Sequence, residues 1–111
     1  MQIERQQISA TGIKFLATEN GQTVGRAYLY ILKNDLHEDS FGFMEDVFVD
    51  ESHRKQGVGS KLIEVVIAEA KARGCYKLIC TARHEKQDVH GYYKKFGFAD
   101  HGLEFRMDFP N

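Results

Sequence analysis

The stretch that decides the fold is residues 47–60, which read VFVDESHRKQGVGS. The apolar segment Val47-Phe48-Val49 predicts the end of a strand. After a short polar loop, the pattern Arg-x-x-Gly-x-Gly over residues 54–59 stands where a helix begins. Free backbone N–H groups and the helix dipole attract phosphate to a helix N-terminus, and glycines let the backbone approach an anion closely. The stretch therefore predicts a strand, a turn and a helix around a candidate pyrophosphate site.

Two other phosphate-binding patterns can be tested against this turn. The Walker pattern Gly-x-x-x-x-Gly-Lys-[Ser/Thr] is absent from the chain. The dinucleotide pattern Gly-x-Gly-x-x-Gly requires a glycine at position 62, where Leu62 stands. Taken alone, the pattern over residues 54–59 also fits a glycine-rich helix entry without a ligand, so both interpretations stay open at this point.

Upstream of the turn, the pattern predicts three strands. Residues 13–19 and 23–32 flank Asn20-Gly21, a dipeptide typical of a tight β-hairpin turn. A polar loop over residues 33–40 leads to a third strand over residues 41–50. Residues 2–8 are a candidate for a further short strand. These segments indicate an antiparallel arrangement ahead of the first helix.

Downstream, a helix is predicted from Gly57 to Arg73, because its apolar residues recur at helical spacing and Gly74 is placed to cap its end. A parallel strand from Cys75 to Thr81 and a helix from Asp88 to Phe96 follow, and two short strands close the chain. The predicted order is (β)-β-β-β-α-β-α-β-β. The last two strands lie near Phe98 and from Leu103 to Phe109. The apolar residues that define the first helix are Leu62, Ile63, Val66, Ile67 and Ala70.

Length and composition restrict the class of protein. The 111 residues predict a single domain over residues 1–111. With 15 Lys and Arg against 16 Asp and Glu, the net charge of -1 disfavours a nucleic-acid or anionic-membrane partner. No apolar run approaches the roughly 18 residues of a membrane span. Cys75 and Cys80 are too few for a disulfide scaffold and would point to opposite faces of a strand, so a reducing cytoplasm is expected.

Two motifs carry a family resemblance. Val47-Phe48-Val49 followed by Arg54-x-x-Gly57-x-Gly59 closely resembles motif A of the GNAT superfamily of acetyl-CoA-dependent N-acetyltransferases. Tyr93-Lys94-Lys95-Phe96-Gly97-Phe98 resembles the Tyr-x-x-x-Gly-Phe element of that family. The resemblance extends over about residues 12–109 in the expected order. It implies a GNAT fold of the α/β (α+β) class, in which a mixed central sheet with a splayed parallel strand pair carries two main helices.

The resemblance implies acetyl-CoA as the cofactor and no metal. In this family the pantetheine arm lies between the two splayed strands and the pyrophosphate lies on the glycine turn. Carried over, the backbone of residues 47–49 would pair with the pantetheine amides, and the amides from Lys55 to Ser60 would hold the pyrophosphate. The cofactor-binding residues expected on this basis are Val47, Phe48, Val49, Arg54, Lys55, Gln56, Gly57, Val58, Gly59, Ser60 and Tyr93.

The same resemblance implies catalytic residues. A protonated amine cannot attack a thioester, so a base is needed, and the candidates are Glu45 and Asp46. Regular strand alternation would point these two side chains to opposite faces, so that only one lines the acceptor site. Glu45 is favoured as the base, directly or through water, and the alternative is that both carboxylates are structural or bind the amine. Tyr93 would protonate the departing thiolate, and a backbone N–H of residues 47–49 would stabilise the oxyanion.

Two departures from the family pattern bear on the acceptor. Where many members have an asparagine seven residues before the tyrosine, this chain has Lys86. Only about twelve residues precede the hairpin, where the family usually has a strand and two helices. The acceptor site is therefore expected to be open or completed by a second subunit, which predicts a homodimer. The alternative is a non-catalytic acyl-CoA-binding or interaction module of the same fold.

The acceptor is expected to be a primary amine, most simply of a small molecule, with a protein amine left open. Residues 74–79, together with the Glu45-Asp46 pair and the ending over residues 102–106, are similar to glucosamine-6-phosphate N-acetyltransferases. Many other members share parts of these segments. His90 is expected either to contact CoA or substrate or to be structural.

Overall fold

A four-stranded sheet in the order β1-β2-β3-β4 is the centre of the first of two units, residues 1–80 and residue 81 onward. The structure is a computed structural model, and it describes residues 1–110. Strands β1 (Thr11–Glu19), β2 (Gln22–Leu32) and β3 (Phe41–Val49) are antiparallel neighbours, and β4 (Leu78–Ile79) pairs in parallel with β3. The mixed sheet agrees with the predicted fold class.

The hairpin between β1 and β2 turns where the sequence predicts it. Asn20 and Gly21 have positive φ angles of 52° and 77°. A two-residue turn with both central residues in this conformation matches the right-handed twist of the strands it joins. The Asn-Gly dipeptide is favoured there because both residue types tolerate positive φ, so this local prediction is confirmed.

Helix α1 (Val58–Ala72) packs on β2 and β3 and buries the apolar core. Gly57 and Arg73, the predicted end residues, are its caps, and Gly74 has a φ of 76°. The Cys75 N–H donates to the Ala70 carbonyl, which is the bonding expected where a glycine ends a helix. The buried apolar residues of this unit are Val24, Ala27, Leu29, Met44, Leu62, Ile63, Val66 and Ala70.

Strand β3 contains a β-bulge near its C-terminal end, which leads into the loop before α1. Across β2, Tyr28 pairs with Glu45 whereas Arg26 pairs with Phe48, so β3 has one residue more than β2 between the two pairs. Asp46 lies within this interval in the left-handed conformation, with a φ of 49°. The extra residue reverses the alternation: even-numbered residues of β3 are buried before the bulge, and odd-numbered residues are half-buried after it.

Strand β4 is shorter than its predicted range of Cys75 to Thr81. Only Leu78 and Ile79 pair with β3, opposite Gly42 and Phe43. Within residues 1–110, the rest of β3 up to Val49 therefore has a strand partner only on its β2 side. The parallel pairing ends after two residue pairs, which agrees with the predicted splay.

The second unit contains α2 (Gln87–Lys95), close to the predicted helix from Asp88 to Phe96. Gly97 follows it with a φ of 99°, and the Gly97 N–H donates to the Lys94 carbonyl. The ring centroid of Phe98 lies 5.7 Å from that of Tyr93. Among residues 1–110, neither helix is long and apolar enough to cross a membrane.

Three predicted strands are absent from the described part of the chain: those in residues 2–8, near Phe98, and from Leu103 to Phe109. The last segment alternates as predicted, but its apolar side chains are exposed, with Phe105 at 89%. A strand exists only where a neighbouring backbone accepts and donates its hydrogen bonds. Alternation alone therefore overestimated the sheet, since it describes one segment and not the partner that the segment needs.

Candidate active site

The face of the sheet opposite α1, here called the outer face, carries polar and aromatic side chains. In β2, Ala27 and Leu29 are fully buried against the α1 side, so Arg26, Tyr28 and Tyr30 project from the outer face. The Tyr28 and Tyr30 rings are parallel, with centroids 6.3 Å apart. This face of β2 thus presents one guanidinium and two phenols beside β3.

The bulge places both candidate carboxylates on the outer face. Glu45 pairs with Tyr28, and the Asp46 carboxylate contacts the Arg26 side chain. Both carboxylates are exposed, although they are neighbours in sequence. The prediction that they point to opposite faces is wrong, because it assumed unbroken alternation and the extra residue of the bulge interrupts it.

Asp46 is engaged by Arg26. The Arg26 Nε donates to Asp46 Oδ2 at 2.9 Å, and Nη2 lies 3.5 Å from Oδ1. The hydrogen bond and the charge of Asp46 raise the pKa of Arg26 above its usual value. The same guanidinium lies 4.7 Å from the Phe48 ring centroid. Among the ion pairs that the structure shows within residues 1–110, none involves Glu45. The two carboxylates therefore differ in their surroundings.

The edge of β3 beyond the splay is the predicted pantetheine edge. Val47, Phe48 and Val49 lie on this stretch, past the last β4 pair at Phe43. On the opposite edge, Phe48 and Val49 pair with β2. One side of the backbone is therefore held in the sheet, and the other extends past the end of β4, which suits addition of an extended ligand.

The glycine turn between β3 and α1 is shaped by two left-handed residues, Lys55 at a φ of 64° and Gly57 at 83°. Alternation of left-handed and right-handed residues turns successive backbone N–H groups toward one point, which favours an anion. A Cβ built on Gly57 meets no atom within 4 Å. The first N–H groups of α1, at Val58 and Gly59, add to the turn because no earlier helical turn supplies their acceptors. The geometry of the turn fits a pyrophosphate.

Arg54 ties this turn to β3. Its Nε donates to the Val49 carbonyl at 3.0 Å, and its guanidinium lies 5.7 Å from the Phe48 ring centroid. Gln56 donates through Nε2 to the Ser52 carbonyl at 3.3 Å. Both side chains stabilise the turn itself, a role that the sequence interpretation of Arg54 and Gln56 as cofactor contacts did not include. Ser60 lies in the first turn of α1.

Tyr93, the predicted acid, lies in α2 of the second unit. Its ring centroid is 6.2 Å from that of Tyr92, and its carbonyl accepts the Phe98 N–H at 3.3 Å. In the same helix, His90 Nε2 is 2.7 Å from the Arg83 carbonyl. His90 is thus held within its own unit, which agrees with the structural alternative for this residue.

Both cysteines are free thiols, Cys75 and Cys80. Burial raises the pKa of Cys80 from 9.0 to about 11, and burial also raises the pKa of Cys75. A raised pKa keeps a thiol protonated and unreactive at neutral pH. Neither thiol therefore has the properties of a catalytic nucleophile.

A cavity of about 420 Å³ lies between β1 and α1, on the face away from the two carboxylates. It is lined mainly by apolar side chains of the sheet and the helix, among them Phe15, Val24 and Leu62. Gln56 and Val58 of the glycine turn also line it, so the cavity reaches one end of the predicted cofactor site but not the two carboxylates.

The first unit brings together most of the predicted site residues: the carboxylates 45 and 46, strand residues 47–49 and turn residues 54–60 follow one another along one continuous segment. Sequence interpretation missed Arg26, which contacts two of these residues from β2. The strand alternation could have identified it. Arg26 lies two residues before Tyr28 and therefore on the same face of β2, while the residues on either side of Arg26 are buried.

Comparison with known proteins agrees with this geometry. The sequence model of the Acetyltransferase (GNAT) family matches residues 2–98. A glucosamine 6-phosphate N-acetyltransferase of Trypanosoma brucei brucei is 34% identical over 95 residues, covering 85% of this chain and 63% of the relative. Glucosamine 6-phosphate N-acetyltransferase 1 of Oryza sativa subsp. japonica is 34% identical over 68 residues, covering 61% and 39%. The chain thus spans less than two thirds of the length of these curated relatives.

Two solved structures have the same fold over most of the chain. A putative acetyltransferase from Agrobacterium tumefaciens str. C58 superposes with a TM-score of 0.81 at 30% identity, over 92% of this chain and 70% of that one. Glucosamine-6-phosphate N-acetyltransferase from Arabidopsis thaliana gives a TM-score of 0.81 at 25% identity, over 89% and 67%. With a splayed strand pair, a glycine turn and a family match over most of its residues, the chain belongs to the GNAT acetyltransferase family.

Proposed function

We propose that this chain is an N-acetyltransferase that transfers the acetyl group of acetyl-CoA to a primary amine by direct attack. The observation that carries the proposal is the β3 edge beyond Phe43, free of a strand partner on that side within residues 1–110 and leading directly into the turn with its left-handed residues Lys55 and Gly57. An extended chain with amides, followed by a pyrophosphate, matches such an edge and such a turn.

Acetyl-CoA supplies an activated acetyl group as a thioester, and the residues present fit its binding. In this proposal the backbone of residues 47–49 pairs with the pantetheine amides. The N–H groups of residues 55–60 hold the pyrophosphate, and the hydroxyl of Ser60 adds a hydrogen bond. The remaining N–H groups of Arg54 and the Lys55 ammonium contribute positive charge. Gly57 keeps the turn free of a side chain where the anion binds.

Glu45 takes the proton from the acceptor amine, directly or through a water. A neutral amine has the lone pair that attacks the thioester carbonyl, whereas an ammonium does not. Glu45 is favoured over Asp46 because both Asp46 oxygens face the Arg26 guanidinium. A backbone N–H of residues 47–49 stabilises the developing negative charge on the carbonyl oxygen, since a fixed donor needs no reorganisation during the reaction.

Tyr93 donates a proton to the sulfur as the thiolate leaves. A phenol suits this step because its ordinary pKa is close enough to that of a thiol for efficient transfer. Tyr93→Phe is expected to lower kcat by about 100-fold, in the lower range for loss of a general acid, without weakening acetyl-CoA binding. Steady-state kinetics and calorimetry separate the two quantities. Unchanged kcat would remove Tyr93 from this role.

Glucosamine 6-phosphate is the first acceptor to test, because curated relatives of this chain carry that activity in their names. Other named relatives acetylate an aminoglycoside or a D-amino acid, so these amines complete the panel. CoA release is measured as free thiol with and without each amine. Release that depends on one of these amines supports the proposal, whereas tight acetyl-CoA binding without such release supports a non-catalytic acyl-CoA-binding module.

The binding test uses two glycines with similar positive φ angles. Gly57 and Gly74 have φ angles of 83° and 76°, and a Cβ on either meets no atom within 4 Å. They lie at opposite ends of α1. Gly57→Glu places a carboxylate at the proposed anion site and is expected to abolish acetyl-CoA binding by isothermal calorimetry, whereas Gly74→Glu carries the same strain and is expected to bind normally. No binding by the wild-type chain, or equal binding by both variants, would contradict the proposal.

We also propose that residues 1–111 form a single domain, and that the protein is a homodimer in the cytoplasm. Support for self-association comes from the exposed alternating side chains Leu103, Phe105 and Met107, since apolar surface of this kind is usually covered. The two free thiols are consistent with a reducing compartment. Analytical ultracentrifugation measures the oligomeric state, and a monomer over the working concentration range would contradict the homodimer.

A further inference from the structure

The backbone at Asp46 is held in an unusual conformation between the two parts of the proposed site. Its φ of 49° is uncommon for a residue other than glycine, although aspartate and asparagine tolerate it best. Glu45, the proposed base, precedes it, and residues 47–49, the proposed backbone donors, follow it. A change in the dihedral angles at Asp46 would therefore alter the orientation of the base relative to these donors.

Arg26 contacts this segment on both sides of Val47. Its guanidinium binds the Asp46 carboxylate at 2.9 Å and lies over the Phe48 ring at 4.7 Å. Arg26 is also the backbone partner of Phe48, whereas the next outward residue of β2, Tyr28, pairs with Glu45. The side chain thus spans the interval in which β3 has its extra residue. A planar guanidinium can bind a carboxylate and stack on a ring at once.

We propose that Arg26 is a positioning residue that fixes the β3 bulge through Asp46 and Phe48, and that Asp46 thereby serves as the anchor and leaves Glu45 as the carboxylate that faces the acceptor. The proposal rests on the proposed acetyltransferase function, because it assigns a role within that site. The two adjacent carboxylates thus have different roles because they have different partners.

The exposure of the pair indicates a role in geometry more than in stability. The Arg26 and Asp46 side chains are 39% and 50% exposed. Ion pairs as exposed as this one contribute little to the free energy of folding, since water screens them and ordering the side chains costs entropy. Loss of the pair is therefore expected to affect catalysis while the folded fraction is maintained.

The main test compares kcat/KM for Arg26→Met, Asp46→Asn and the double variant, with acetyl-CoA and the active amine of the acceptor panel. Asparagine preserves shape and tolerance of positive φ, so it removes only the charge. Each single change is expected to lower kcat/KM by about 10- to 100-fold, the effect of a small misplacement of reacting groups. The double variant is expected to be no worse than Arg26→Met, because both changes remove one interaction.

Two further variants make the test specific. Arg26→Lys keeps the charge but loses the fork and the stacked plane, so it is expected to recover only part of the lost activity. Arg73→Met removes an exposed arginine–carboxylate pair of similar length, 2.8 Å to Glu69, at the far end of α1. Arg73→Met is expected to retain wild-type kcat/KM, which controls for the loss of an exposed guanidinium.

The pH profile distinguishes an anchor from a base, and the backbone amides report directly on the geometry of the bulge. If Asp46 is only the anchor, Asp46→Asn retains the acid limb of the kcat/KM profile, whereas Glu45→Gln loses it. In ¹H–¹⁵N spectra, the amides of residues 45–49 are expected to shift in Arg26→Met and to stay in place in Arg73→Met.

Wild-type kcat/KM in Arg26→Met, additive losses in the double variant, or an acid limb that disappears with Asp46→Asn would each overturn the proposal. A wild-type chain that releases no CoA with any amine of the panel contradicts the proposed function instead. In that case the amide shifts decide whether Arg26 holds the bulge, and their absence would overturn this inference as well.

Discussion

The two faces of the β2–β3 ribbon differ in what their side chains do. Toward α1, Leu29 and Met44 are buried in a closely packed apolar layer. On the outer face, Arg26, Glu45 and Asp46 are polar and half-buried or exposed. Residues of both sets alternate along the same strands, so the backbone that the inner face stabilises also positions the groups of the outer face. The comparison indicates that stability and catalysis in this chain can be changed separately.

The inner face accounts for the largest expected loss of stability. Leu29 is fully buried, so Leu29→Ala removes apolar contacts and leaves a cavity, at a cost of about 2–5 kcal/mol in the free energy of unfolding. Tyr30→Thr, on the outer face of the same strand, keeps a residue that favours strands and is expected to change stability by only about 0.5 kcal/mol. Urea denaturation measures both, and equal losses would contradict the separation of the two faces.

A smaller effect is expected where a glycine permits close packing. A Cβ on Gly42 would lie 2.9 Å from Leu78 Cδ1 and 3.0 Å from Leu29 Cδ1. Gly42→Ala is therefore expected to cost about 1–3 kcal/mol through overpacking. Gly91→Ala, within α2 and with no atom near its Cβ, is expected to stabilise by about 0.5–1 kcal/mol, because alanine favours the helix. Thermal unfolding of both variants gives the two signs, and a neutral Gly42→Ala would show that the layer is loosely packed.

The smallest effect concerns the thiol of Cys80. Its pKa in the folded chain is raised from 9.0 to about 11 by burial, so the neutral thiol is the form that folding favours. The associated stabilisation is fully present below the unfolded pKa and is lost as the pH rises through about 11. In a Cys75→Ser background, alkylation by iodoacetamide is expected to be slower in the native than in the denatured chain near pH 9. Equal rates would mean that the thiol is not buried.

Local sequence features predicted the parts of the fold that depend on a few neighbouring residues. The Asn20-Gly21 turn and both ends of α1 follow from which residues tolerate positive φ and from helical periodicity, and the structure agrees. The glycine turn was also predicted from its pattern. These features are set by contacts within one segment, so a single sequence contains the information that they need.

Several features that depend on a distant partner were not predicted. The bulge at Asp46 depends on the register between β3 and β2, which no pattern within β3 specifies. The pairing of Arg26 with Asp46 depends on the same register, and so does the common face of the two carboxylates. The strand expected from Leu103 to Phe109 depends on a neighbouring backbone that its own alternation does not identify.

We propose that the outer face carries the chemistry and contributes little to folding. This proposal is tested most directly by measuring kcat/KM and the free energy of unfolding on one variant, Glu45→Gln. We expect kcat/KM to fall by about 10²–10⁴-fold, as for removal of a general base, with the free energy of unfolding unchanged within about 0.5 kcal/mol. Undiminished activity, or a loss of activity matched by a loss of stability, would contradict it.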